Sequence, residues 1–225
     1  MRPVGQFSGH SDFHYQTLRV NVDLLRIIQL GLTFSDENGE LAEGCPTFQF
    51  NFRFSLGEDI FAQDSIELLQ RAGIDFAEHQ ERGIEVEAFG EQLMSSGLVL
   101  SDDVRWLSFH SGYDFGYLLK LLTCLPLPPD EAAFSLLLKT YFPMQFDVKQ
   151  LMTVSDRFHG GLQRLADELA IERVGVMHQA GSDSLLTSAA FFKLRKLFFN
   201  NRIDEAKWGG VLYGLAGGAG ASGAR

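Results

Sequence analysis

Asp114 sits in the stretch FHSGYDFGYLL, where an apolar run gives way to helical spacing, and His178 and Asp183 stand five apart in HQAGSDSLLT, at the entry to a long apolar helix. A carboxylate in the first turn of a helix is favoured by the partial positive charge of the helix N-terminus whether or not it takes part in chemistry. For Asp114, a helix-start reading and a site reading therefore both stand. The second pair is less common. A histidine leaning back over an aspartate can accept a proton from water near neutral pH, and the carboxylate can hold a metal that acidifies that water. Its plain alternative is a Ser182 or Asp183 helix cap beside a surface histidine.

Other reactive residue types are scattered. His110, in HSGYD, reads as a neighbour of the Asp114 site, and His10, His14, His79 and His159 read as surface residues without H-x-x-x-H ligand spacing. Lys149, Lys193, Arg195 and Lys196 are the cations nearest the candidate residues in sequence, though each is also an ordinary solvated helix charge. Most of the 20 phenylalanines are expected in the core, with a minority free to stack on bases. Ser182 and Ser184 lack a G-x-S-x-G setting, which gives serine hydrolysis little support. Cys45 and Cys124 show no C-x-x-C or Cys/His pairing, so neither a zinc site nor a disulfide framework is indicated.

The elements that must position these residues can be read from periodicity. Residues 11–25 predict a helix with Ser11 or Asp12 at its cap. Residues 27–34 (IIQLGLTF) and 47–54 (TFQFNFRF) predict an antiparallel strand pair, one buried and the other half exposed. Residues 64–72 and 84–95 predict helices closed by Gly73 and Gly97. Residues 104–109 (VRWLSF) predict a strand whose C-terminal end meets the Asp114 helix, a favoured location for active sites in α/β sheets. Beyond the PLPPDE break, helices are predicted at 131–141, 162–169 and 182–199, with a short strand near 145–148. This order implies a three-layer α/β domain, a mixed central sheet flanked by helices. The domain is expected over residues 1–208, followed by a Gly/Ala-rich flexible tail over 209–225.

Composition narrows the function. No apolar run of membrane-spanning length occurs and the first residues, MRPVGQFSGHSDFH, have no signal-peptide character, so no membrane role and a cytoplasmic or nuclear setting are expected. A formal net charge of −10 works against a broad basic surface for nucleic acid. Any such ligand must be held locally, and carboxylates around divalent cations would reverse the local sign. No G-x-G-x-x-G or G-x-x-x-x-G-K-[ST] loop follows a predicted strand, so no pyrophosphate cradle is expected.

Taken together, the segments NVDLL-RIIQLGLTF, FNFRFSL-EDIFAQDSIELL, WLSFHSGYDFGYLLKLLT, FDVK-LM, HQAGSDSLLT and AFFKLRKLFF closely resemble the CCR-associated factor family, the DEDD-type deadenylase subunit of the CCR-NOT messenger-RNA decay complex, nearly end to end. The resemblance implies an RNase H-like fold, a pair of Mg2+ or Mn2+ ions, and 3′-to-5′ removal of adenylates from the poly(A) tail of mRNA. It implies that Asp114 and Asp183 are metal ligands and that His178 takes the proton from the attacking water; Lys149 and His110 stand as substrate-binding candidates. Implied partners are the scaffold subunit and the second deadenylase of the complex, with antiproliferative adaptor proteins possible.

One departure bears on activity. The family's first acidic motif, an aspartate-x-glutamate pair at the end of its first core strand, has no counterpart: no D-x-E occurs in the sequence, and Glu85-Val86-Glu87 falls in a predicted helix. The first core strand is therefore expected to be missing from the chain as given, and its activity reduced. The alternative to an exoribonuclease is a catalytically impaired paralogue acting as a scaffold or adaptor module in the same complex; a DNA-directed exonuclease is a third reading, disfavoured by the family-specific segments.

Overall fold

The structure is a computed structural model, and it describes residues 1–3, 7 and 9–215. The order is α1 (His10–Leu24), β1 (Gln29–Thr33), β2 (Thr47–Asn51), α2 (Gln63–Arg71), α3 (Phe76–Arg82), α4 (Val86–Ser95), β3 (Arg105–Ser108), α5 (Gly112–Thr123), α6 (Glu131–Tyr141), β4 (Met144–Asp147), α7 (Val148–Leu151), α8 (Leu162–Glu168), α9 (Ala180–Phe198) and α10 (Glu205–Trp208). Among the described residues no helix is long and apolar enough to cross a membrane.

Helix α1 starts one residue earlier than its pattern suggested, and neither Ser11 nor Asp12 caps it; Gly9 occupies the cap position without a side-chain bond. Ser11 instead donates to Glu131 at 2.7 Å, tying α1 to α6. One face of α1, with Tyr15, Leu18 and Val22, packs on Phe115, Leu118, Leu119 and Leu122 of α5. Burial of that apolar stripe, worth roughly 1.5–3 kcal/mol per large side chain, holds the two helices together. Gly116 lets them approach, since a Cβ there would lie 3.0 Å from a Val22 methyl. A second core gathers Phe146, Leu151, Leu165, Ala190, Phe191 and Leu194 beneath α9, and a smaller one gathers Phe54, Ile66, Ile74 and Phe76.

The strands form two pairs. β1 and β2 are antiparallel, with Gly31 opposite Gln49, and β3 and β4 are parallel, with Ser108 opposite Asp147. A cavity of about 770 Å³ lies between the pairs, bordered by the consecutive residues Ile27, Ile28, Gln29, Leu30, Gly31 and Leu32 on one side and by Trp106, Leu107, Ser108 and Phe109 on the other. Side chains alternate between the faces of a strand, so consecutive residues border one space only where the strand meets it edge-on. Among the described residues, neither β1 nor β3 makes a backbone hydrogen bond outside its own pair.

Three sequence-based expectations are corrected. His79 is buried, 4% exposed, with Nδ1 2.8 Å from the Phe52 carbonyl oxygen, so it is a core histidine and not a surface one. Helix α3, capped by Asp75, went unpredicted because seven residues offer too little periodicity to read. The expected flexible tail does not begin at residue 209: Gly210 donates to the Gln145 carbonyl, and Leu212 is buried in the first core. A single apolar residue at the right distance outweighs the local glycine content there. Residues 216–225 lie outside the described residues.

Candidate active site

Asp114 reaches the cavity because the chain turns sharply from β3 into α5. His110 adopts φ 54°, and the turn is held by Asp147, only 1% exposed. Its carboxylate accepts from the backbone N–H groups of His110 at 2.7 Å, Ser111 at 3.3 Å, Lys149 at 2.9 Å and Tyr213 at 3.0 Å. Donors from three parts of the chain thus converge on one charge, the arrangement in which a buried carboxylate is stable. Asp147 was not among the residues singled out from the sequence; an aspartate ending a short apolar run ahead of VKQL was the available signal, since it also caps α7.

Asp183 arrives from the opposite side. Helix α9 begins at Ala180, two residues before its predicted start, placing Asp183 in the first turn with its N–H donating to the Gln179 carbonyl. Three glutamines fix the turn. Gln179 Oε1 accepts from Gln29 at 3.2 Å and Gln49 at 2.9 Å, while its Nε2 donates to the Ala72 carbonyl at 2.8 Å. Gln29 and Gln49 in return accept from the N–H groups of Ala180 and Gly181, two of the amides a helix start leaves unpaired. The helix comes so close to β1 that a Cβ on Gly31 would lie 1.9 Å from the Ala180 carbonyl oxygen. His178, just ahead of this turn, has φ 68° and an exposed side chain.

Asp114, His178 and Asp183 all border the same cavity, together with Arg173. Asp114 is exposed where it opens onto the cavity, but protein packs closely round the rest of it, and that partial loss of hydration, reinforced by the charges of Asp147 and Asp183, raises its carboxyl from 3.8 to about 6. Asp183 is paired with Arg173, whose Nη1 lies 2.6 Å from Oδ1. The other candidates divide. His110 stands against the ring of Tyr213 at 5.3 Å, and Lys149 donates to the Gly160 carbonyl with its ammonium 5.5 Å from the same ring and 5.8 Å from Phe109. These two form a cluster on the Asp147 side of the turn. Lys193, Arg195 and Lys196 lie well along α9 and do not border the cavity; Arg195 instead donates to the Glu37 carbonyl.

Two carboxylates on helix N-termini, one of them without a counter-charge among the described residues, are suitable oxygen donors for a divalent cation, which holds few protein carboxylates and keeps several waters. Among the described residues no group of three or more His, Cys, Asp or Glu side chains is placed to enclose an ion.

No family model matches the chain. It is 54% identical over 221 residues to the probable CCR4-associated factor 1 homolog 7 of Arabidopsis thaliana, covering 95% of this chain and 79% of that protein. It is 51% identical over 214 residues to the poly(A) ribonuclease pop2 of Schizosaccharomyces pombe, covering 95% of this chain and 64% of that one. Among solved structures, S. pombe Pop2p in its Mg2+ and Mn2+ bound form superposes with a TM-score of 0.93 at 51% identity, over 96% of this chain and 85% of that chain. Yeast CAF1 co-crystallised with the NOT1 MIF4G domain matches with a TM-score of 0.78 at 36% identity, over 93% and 83%. With this identity running along almost its whole length, and the RNase H-like domain it shares with the yeast Pop2 RNase domain, the chain belongs to the CCR4-associated factor 1 family.

Proposed function

We propose that the chain is the 3′-to-5′ poly(A) exoribonuclease subunit of a CCR4-NOT complex, and that Asp114, His178 and Asp183 are the part of its catalytic centre carried by the described residues. The observation that carries the proposal is the convergence of Asp114 and Asp183, from two separate helix N-termini, on one cavity with His178. The relative named poly(A) ribonuclease and the neighbour bound to Mg2+ and Mn2+ support the substrate and the ions. In this reading Asp114 and Asp183 donate oxygens to divalent cations, Mg2+ or Mn2+. When bound, such an ion supplies a more acidic water and a positive charge against the phosphodiester. His178 accepts the proton from the attacking water, a task suited to an imidazole at neutral pH. Lys149 and His110 do not border the cavity but cluster with Tyr213 at the β3–α5 turn, and in this reading they hold the RNA beyond the centre, the ammonium on a phosphate and the His110–Tyr213 pair beside a base. The scaffold subunit of the complex is the expected partner, as its NOT1 MIF4G domain is for the yeast neighbour; the second deadenylase and antiproliferative adaptors are further partners in this reading.

The edge-on cavity between β1 and β3 has room for an extended strand carrying further carboxylates. The test is trimming of a 5′-labelled oligo(A) RNA with Mg2+ or Mn2+ by this chain, and by a version extended with a strand-length segment containing D-x-E. Trimming that requires the extension and is lost in Asp114→Ala and Asp183→Ala versions supports the proposal. Absence of trimming from both chains sinks it and favours the second reading, an adaptor module in the same complex.

A further inference from the structure

Two arginines border the cavity, and each is already engaged. Arg26 pairs with Asp59 at 2.8 Å. Arg173 faces the candidate centre itself. Its side chain is only 11% exposed and its guanidinium is divided among three acceptors: Nε donates to Gln163 Oε1 at 2.6 Å, and Nη1 donates to Ser182 Oγ at 3.0 Å and to Asp183 Oδ1 at 2.6 Å. The neutral partners hold the fork in place independently of the carboxylate. Asp183, 37% exposed, is thereby neutralised by an internal cation of fixed position, while Asp114 has no such partner among the described residues.

An oxygen that accepts a charge-assisted bond at this distance cannot also give its full charge to a divalent ion, and a guanidinium next to the ion adds like-charge repulsion. We infer that Arg173 is a built-in counter-ion of Asp183 that competes with the divalent cation, setting the affinity of the centre until an anionic phosphodiester draws the guanidinium off. Arg173 is a positioning residue in this scheme. Its planar fork matches a phosphate as well as a carboxylate, so substrate and cation binding become mutually reinforcing: the phosphate takes the arginine, and the freed carboxylate takes the ion.

The inference rests on the reading of Asp183 as a cation ligand, and the experiment separates the two. Mn2+ binding is measured by titration calorimetry, and by the electron paramagnetic resonance signal of free Mn2+, for the unaltered chain and for Asp183→Asn, Arg173→Gln and Gln163→Ala. Circular dichroism verifies that each remains folded. Loss of Mn2+ binding in Asp183→Asn upholds the ligand reading; unchanged binding there overturns both it and the inference. Given that loss, Arg173→Gln is expected to bind Mn2+ about tenfold more tightly, the scale of one partly buried ion pair. Gln163→Ala, which loosens the arginine without touching the carboxylate, is expected to shift binding in the same direction by less. A phosphorothioate oligo(A) is expected to tighten Mn2+ binding in the unaltered chain and to do so less in Arg173→Gln. Unchanged or weaker Mn2+ binding in Arg173→Gln, including no binding in either chain, overturns the counter-ion role.

Discussion

Replacing Asp114 by asparagine is expected to make the cation-free protein more stable. The carboxyl titrates at 3.8 in the open chain and at about 6 in the folded one, chiefly because the fold withdraws it from bulk water and secondarily because Asp147 and Asp183 are nearby. A folded-state value above the unfolded one means that the native protein holds its proton more tightly. The preference for the fold is complete below pH 3.8, fades as the pH climbs towards 6, and is gone above it, where folding must keep a poorly solvated charge. A shift of about two units corresponds to roughly 3 kcal/mol for a fully enclosed group. Asp114 opens onto the cavity, and water there screens the charge, which brings the figure to about 1.5 kcal/mol. Asparagine keeps the shape and has no charge to desolvate. At pH 7.5 in EDTA the variant is expected to melt about 3–6 °C higher, at the usual 2–4 °C per kcal/mol for a domain of this size. The gain is expected to shrink as the pH falls through 6 and to vanish near 4, and to shrink also with added Mn2+, which replaces the missing counter-charge for the aspartate alone. Calorimetric melts across that pH range check the reasoning. A lower melting temperature for Asp114→Asn at pH 7.5, or a difference that does not change with pH, refutes it.

Other perturbations are expected to reach the site through the groups that hold it. Asp147→Ala strips the acceptor from four backbone N–H groups and should cost at least ~3 kcal/mol in urea denaturation, since each buried donor left unpaired costs about 1–3 kcal/mol. Gly31→Ala drives a methyl into the Ala180 carbonyl and should shift α9 or unfold the chain, read as a loss of more than ~3 kcal/mol or as insoluble product. Gln179→Ala removes the acceptor and donor that tie β1, β2 and Ala72 to the turn after His178; a loss of about 1–3 kcal/mol is expected, with weaker Mn2+ binding, measurable by denaturation and calorimetry.

Much of the placement of Asp114 and Asp183 was legible in the sequence because it is a local matter. An apolar run switching to helical spacing puts a carboxylate in a first turn, and that holds wherever the helix later packs. The supports of the site were not legible for the opposite reason. Gln29, Gln49 and Gln179 lie up to 150 residues apart, and nothing in IIQLG or TFQFN marks a glutamine as the partner of a distant helix start. Arg173 was not singled out in the sequence, where nothing marks it as held by Gln163 and Ser182 against Asp183. His79 and Leu212 failed in a related way: their neighbours in sequence are polar or glycine-rich, while their neighbours in space are the Phe52 carbonyl and the core between α1 and α5. Local pattern reports propensity, and tertiary contact overrides it.

The cavity between the strand pairs also leaves two strand edges without backbone partners among the described residues. Along a strand paired on one side, alternate N–H groups point towards the partner and the others away from it. The amides of Gln29–Thr33 and Arg105–Ser108 should therefore exchange with deuterium in a saw-tooth pattern, slow where β2 or β4 takes the bond and fast where the hydrogen faces the open space. Helix α9, which packs on both β1 and β3, is what joins the two pairs. An extended segment seated in the cavity would bond both edges together. It would flatten the saw-tooth by pairing the amides that now face the open space.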